Sequence, residues 1–155
     1  MKYILRLLDD ALALGAPGPY QTQAAIAALH STAATAAGTD WPQIAALYGA
    51  LMLQVPTPVV ELNRAVARGM ASGLAEGLEG IARIEAHGDL TRYHLLPAAK
   101  ADLLRRAGRV AEAADAYRAA LALVTSPAER RYLEGRLAEV EASAVRSRPG
   151  DPAGD

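Results

Sequence analysis

The stretch AAKADLLRRAGRVAEAADAYRAALALVTSP, residues 98–127, decides the fold. Apolar and small residues recur in it at helical spacing on both sides of one glycine. Ala101 and Leu104 lie three residues apart before Gly108; after it, Val110, Ala113, Ala114, Tyr117, Ala120 and Leu121 form a stripe with the 3.6-residue period of an α-helix. Ser126-Pro127-Ala128-Glu129 then reads as a capping box with proline at the first helical position, so a further helix begins there. Two helices joined by so short a turn are expected to pack as an antiparallel pair. Small residues let the two backbones approach, and the Tyr117 ring fills the groove toward the next pair.

Outward from this pair the chain is punctuated in the same way, and no stretch shows the alternation of a half-buried strand. The expectation is an all-α fold of about eight helices arranged as antiparallel pairs. The first spans about Lys2 to Leu14 and ends at Gly15-Ala16-Pro17-Gly18-Pro19, a cluster that no helix tolerates. The second spans about Tyr20 to Ala36. Asp40-Trp41-Pro42-Gln43 predicts a capped start, followed by Ile44, Leu47, Tyr48 and Leu51 on one face. Thr57-Pro58 opens a fourth helix bearing Leu62, Ala65, Val66 and Gly69, and Ser72 a fifth bearing Leu74, Leu78 and Ile81. Pro97 is expected in the first turn of the sixth, which ends at Gly108. The helical domain is expected over residues 1–145, with residues 146–155 a disordered tail rich in Pro, Gly, Asp and Ser.

Composition narrows the function. Of 155 residues, 52% are hydrophobic, yet there is no Phe, and one Trp and six Tyr supply all the aromatic bulk, so alanine-rich helices must approach closely to make a core. The 16 basic and 17 acidic residues leave a formal charge of −1, which gives no global attraction to nucleic acid or to an anionic membrane. Absence of cysteine removes disulfides, thiolate catalysis and cysteine-based zinc sites, and is compatible with a cytoplasmic location. Arg6, Asp9 and Asp10 interrupt the first apolar run before a signal peptide could be complete, and no apolar run is long enough to span a bilayer.

The pattern of residues 98–127 resembles a tetratricopeptide repeat: small residue, larger residue, turn glycine, then alanine, aromatic and alanine at offsets of four and three. The closing proline is displaced by about two residues to Pro127, and Pro97 stands where the repeat carries tryptophan. Longer segments resemble the C-terminal tetratricopeptide-like extension of one group of extracytoplasmic-function RNA polymerase sigma factors. They are Gly15 to Gln21, Gln23 to His30, Thr39-Asp40-Trp41, Pro58 to Ala67, Tyr93 to Ala98, Ala101 to Leu104, Gly108-Arg109 and Glu112-Ala113, which together run from about Leu8 to about Val140. The two DNA- and polymerase-binding regions that precede this extension in such a sigma factor have no counterpart here, and Met1-Lys2-Tyr3-Ile4 does not continue the family's upstream pattern. The resemblance therefore implies a non-catalytic regulatory module. Its partner would be the sigma or polymerase body or a small YCII-like protein; the alternative is a free-standing adaptor with no transcriptional role.

No catalytic residue, metal site or cofactor is expected: HExxH and HxxxH spacings, a Walker loop and a GxSxG elbow are all missing. His30, His87 and His94 read as packed, capping and junction residues, His94 having Tyr93 and Asp89 as the partners a relay would need. Asn63-Arg64 is the most suggestive polar pair. An Asn and an Arg can hold a peptide backbone and a carboxylate, or they can bond a neighbouring helix and pair with Glu61. Gln21, Gln23, Trp41 and Arg109 are the further candidates for contact with a partner. The arginines at 105, 106, 109, 130, 131 and 136 are interrupted by acids and read as solvated faces, not a nucleic-acid surface.

Overall fold

The computed structural model describes residues 18–32 and 36–147, and the expected helix Lys2–Leu14 and the tail from residue 148 onward lie outside the described residues. Among the described residues there are seven α-helices in place of the eight expected, and no strand: α1 Pro19–Thr32, α2 Trp41–Gln54, α3 Pro58–Ser72, α4 Leu74–His87, α5 Leu95–Arg106, α6 Val110–Leu123 and α7 Pro127–Arg146. A 3-10 turn at Ala36–Gly38 follows α1, which ends at Thr32, four residues short of the expected Ala36. The last helix reaches Arg146, one residue into the segment read as tail.

Local chemistry sets most helix starts. The Asp40 carboxylate accepts from the Gln43 amide at 3.1 Å, and the Thr57 hydroxyl accepts from the Val60 amide at 3.3 Å, each satisfying a donor that the first turn leaves without a helical partner. The Ser126 hydroxyl takes the Glu129 amide at 3.4 Å, and each of these three helices carries proline in its first turn. The expected start at Ser72 is a correction: Ser72 is the last residue of α3, and Gly73 alone separates it from α4. Gly73 has φ 142°, a backbone state that a side chain resists, and this reverses the chain within a single residue. At Gly108, φ is 75°, and the Arg109 amide bonds the Leu104 carbonyl while the Gly108 amide bonds that of Arg105. That pair of bonds is the Schellman closure the turn glycine predicts.

The described helices fall into two compact units divided between Asp89 and Leu90. In the first, α1 packs on α2, α2 on α3 and α3 on α4. Ile26, Ile44, Leu51, Val60 and Ala67 form its centre, with Trp41, Leu47 and Tyr48 packed around it. Between α3 and α4, Ala65 lies against Gly80 so closely that a Cβ on Gly80 would stand 2.8 Å from that of Ala65. In the second unit α6 packs between α5 and α7. Ala101, Leu103, Leu104, Ala113, Tyr117 and Ala120 are buried there, with Leu133 and Val140 from α7. Tyr117 is 2% exposed, the placement its position in the stripe predicts.

Candidate functional site

Three consecutive helices open a cleft of about 360 Å³ in the first unit. Gln23, Ile26, Ala27 and His30 line it from α1, Tyr48 and Leu51 from α2, and Val59, Val60 and Asn63 from α3. The residues fall together because four- and seven-residue steps return to one side of a helix: Gln23, Ala27 and His30 on α1, Val59 and Asn63 on α3. Ile26, Leu51 and Val60 are core residues whose edges form the floor. The Gln23 and Asn63 amides and the Tyr48 hydroxyl supply donors and acceptors on the walls. No lining residue is a carboxylate, Lys or Arg. Burial pushes the Tyr48 phenol above its usual range, so it is a neutral hydroxyl at any physiological pH.

His30 is held at the cleft edge by Trp41: their rings meet edge-to-face with centroids 5.5 Å apart. Trp41, a candidate contact residue, is thus a packing partner of the site, placed by its position at the first residue of α2. Gln23 and Asn63 are the two sequence candidates that the structure brings together. Gln21 does not line the cleft; its side-chain oxygen stands 2.8 Å from where a Cβ on Gly18, the residue before α1, would be.

Asn63 and Arg64 do not line the same pocket. Adjacent helical residues point about 100° apart, and Arg64 points off the cleft, its Nε 4.0 Å from where a Cβ on Gly49 of α2 would stand. It lines a second, smaller pocket of about 50 Å³ with Glu61, Ala65, Arg68, Glu76, Gly80 and Arg83. The Arg64 Nε is buried without a hydrogen-bond partner. Arg68 pairs closely with Glu76, and Arg83 stands 4.0 Å from Glu79, one turn away.

Arg109 lies in the second unit and is committed locally, donating through Nε and Nη2 to the two Glu112 oxygens at 2.8 and 2.6 Å. In the same unit Asp102 accepts from Arg105 at 2.6 Å and from Arg106 at 2.8 Å. Burial raises the Asp102 pKa, but the hydrogen bonds from Arg106 and Arg105 outweigh it and hold the carboxyl below its ordinary value. His94 faces Glu129, with Nε2 3.1 Å from a carboxylate oxygen but off the line of a hydrogen bond, and not Asp89. His87 bonds the Arg83 carbonyl at 2.8 Å in the last turn of α4, the capping aid read from the sequence.

Sequence reasoning does not single out Tyr48, and it weighs His30 as a base or ligand but favours a packed residue. Tyr48 sits in the apolar stripe of α2, where spacing alone reads it as core, and His30 stands alone on an alanine-rich helix. Among the described residues no group of three or more metal-ligating side chains gathers, and no helix is long and apolar enough to cross a membrane.

No family model matches the chain, and no solved structure does. It is similar to an uncharacterized protein, R00370, of Rhizobium meliloti (strain 1021), 42% identical over 134 residues. The match takes in 86% of this chain but 31% of that protein, so the chain spans about a third of the length of the relative it matches.

Proposed function

We propose that the chain is a non-catalytic, tetratricopeptide-like interaction module, the regulatory extension of an extracytoplasmic-function sigma factor, acting in the cytoplasm. Its site is the cleft of α1, α2 and α3, and its ligand an uncharged peptide segment with an aliphatic side chain. The observation that carries this reading is the cleft's composition. An apolar floor of Ile26, Leu51 and Val60 accepts one branched side chain, while the Gln23 and Asn63 amides match the N–H and C=O groups that flank it. Desolvating a charged ligand there would go uncompensated, because no carboxylate, Lys or Arg lines the cleft. Tyr48 and His30 could move a proton, yet no carboxylate lines the cleft to orient the imidazole, which favours binding over catalysis.

Two further points support it. Consecutive helices in each unit pack on their sequence neighbours, the arrangement a helical repeat uses to build a groove. The similar rhizobial protein extends well beyond the matched region, as expected if such a module is appended to other domains.

The test is binding of the purified chain, by biolayer interferometry, to three purified proteins: core RNA polymerase, the DNA- and polymerase-binding regions of an extracytoplasmic-function sigma factor, and a small YCII-like protein. One of them should bind. Gln23→Ala with Asn63→Ala should weaken that binding by about fivefold or more, since each neutral hydrogen bond contributes about 0.5–1.5 kcal/mol, with the circular dichroism unchanged. Binding to none of the three would overturn the sigma-module reading and leave a free-standing adaptor. Binding that ignores both substitutions would overturn the cleft.

A further inference from the structure

The smaller pocket between α3 and α4 has a different chemistry from the cleft, and the proposed function does not use it. Three arginines, Arg64, Arg68 and Arg83, line a space of about 50 Å³, and the Arg64 Nε also lies 4.0 Å from the Cβ position of Gly49 on α2. That is room for one compact group, since a water occupies roughly 30 Å³ of liquid. Ala65 and Gly80 line it with almost no side chain, and a Cβ at Gly80 would stand 3.8 Å from the Arg83 Nη2. The charges are unevenly satisfied. Arg68 is neutralised by Glu76. Arg83 has only the 4.0 Å approach of Glu79, both side chains being more than half exposed. Arg64 Nε has no acceptor although water is excluded from it, an arrangement that costs free energy unless an acceptor arrives.

We infer that Arg64 and Arg83 form a binding site for a single small oxyanion, a phosphate or carboxylate group, seated over Ala65 and Gly80. A guanidinium presents parallel N–H donors that match two oxygens of such a group, and Arg64 already holds one of them unpaired in a dry position. Of the two acids on the rim, Glu76 pairs with Arg68, and Glu61 has no ion pair among the described residues. It opposes the anion, so the site is tuned to moderate affinity, and a monoanion suits it better than a dianion. The site does not depend on the peptide reading of the neighbouring cleft, because the two pockets share no lining residue.

The Nε–H proton of a buried arginine can be observed directly by ¹⁵N–¹H NMR, which gives a readout on the intact chain without substitution. Inorganic phosphate and acetate are titrated separately at constant ionic strength against chloride. A saturable shift of the Arg64 Nε–H signal, larger than that of any other arginine, is expected with at least one of them. Saturation by phosphate alone identifies a phosphate source, and saturation by acetate identifies a carboxylate such as a partner side chain or chain terminus. Arg83→Gln should weaken the binding about tenfold, and Glu61→Gln should tighten it several-fold, a change that a purely structural Arg64 would not produce. Small, linear shifts shared by all arginines with both anions would overturn the proposal. So would an Arg64 signal that moves on Glu61→Gln alone and never responds to anion, since that would make Glu61 its resident partner.

Discussion

Gly80→Ala separates close helix packing from ordinary helix propensity, because the two predict opposite signs. In an exposed helix the change gains about 1 kcal/mol, since alanine has fewer conformations to lose. At Gly80 the new methyl carbon would stand 2.8 Å from the Ala65 Cβ and 3.6 Å from its Cα. Apolar carbons settle at about 3.5–4.0 Å, and neither atom belongs to a flexible side chain, so α3 and α4 must move apart by most of an ångström. Overpacking of this kind costs about 1–3 kcal/mol, which leaves a net destabilisation of about 1 kcal/mol. Ala65→Gly alone forfeits about 1 kcal/mol of propensity and about 0.8 for a buried methyl. The double variant only moves the methyl across the interface, so it should lie within about 1 kcal/mol of wild type, a favourable coupling of about 2 kcal/mol. Urea unfolding followed by circular dichroism reads all four proteins, and the fluorescence of Trp41, the sole tryptophan, reports the first unit alone. Gly135→Ala is the control: nothing stands within 4 Å of its Cβ position in α7, and stabilisation by about 0.5–1 kcal/mol is expected. If Gly80→Ala stabilises as Gly135→Ala does, and the cycle shows no coupling, α3 and α4 are not in contact through these residues.

Tyr117→Ala should destabilise the second unit by about 3–5 kcal/mol in denaturant titration, the residue being buried on α6, and a loss below 1 kcal/mol would break the reading of its stripe. Thr57→Ala removes the acceptor for the Val60 amide and should cost about 1 kcal/mol, whereas Thr57→Ser should be nearly neutral. Asp102, held below its ordinary pKa by Arg106 and Arg105, binds protons less readily folded than unfolded. The stability it contributes is therefore full above the unfolded value of about 3.9 and lost as pH falls through the folded value, so Asp102→Asn should flatten thermal stability against pH below about 4 while lowering it at pH 7. An unchanged acid limb in Asp102→Asn would show that other carboxylates govern it.

How much of this was legible depends on how local the determining physics is. The starts at Asp40, Thr57 and Ser126 read correctly because a cap is a contact between residues three apart, and the Gly108 turn and the buried Tyr117 follow from spacing within one hairpin. The start at Ser72 was misread: Ser72 has the chemistry of a cap, but Gly73 takes a φ of 142° that lets one residue do the work of a loop, and no pattern of apolar positions reveals a backbone angle. The site was legible in pieces. Gln23 and Asn63 are both candidates in the sequence, yet their meeting across α1 and α3 depends on how two helices dock, and the helix turns Arg64, adjacent in sequence, to another pocket. Tyr48 was hidden by the same logic. Periodicity says which side of α2 faces its neighbours, but not that the stripe is buried at Leu51 and opens into a cleft at Tyr48. The polar residues of α3 thus serve two pockets of opposite character, neutral around Asn63 and cationic around Arg64. A ligand that engages both must present an aliphatic, uncharged stretch and an oxyanion at once. Loss of cleft binding in Gln23→Ala with Asn63→Ala, alongside an undisturbed Arg64 signal, would show that the two are recognised separately.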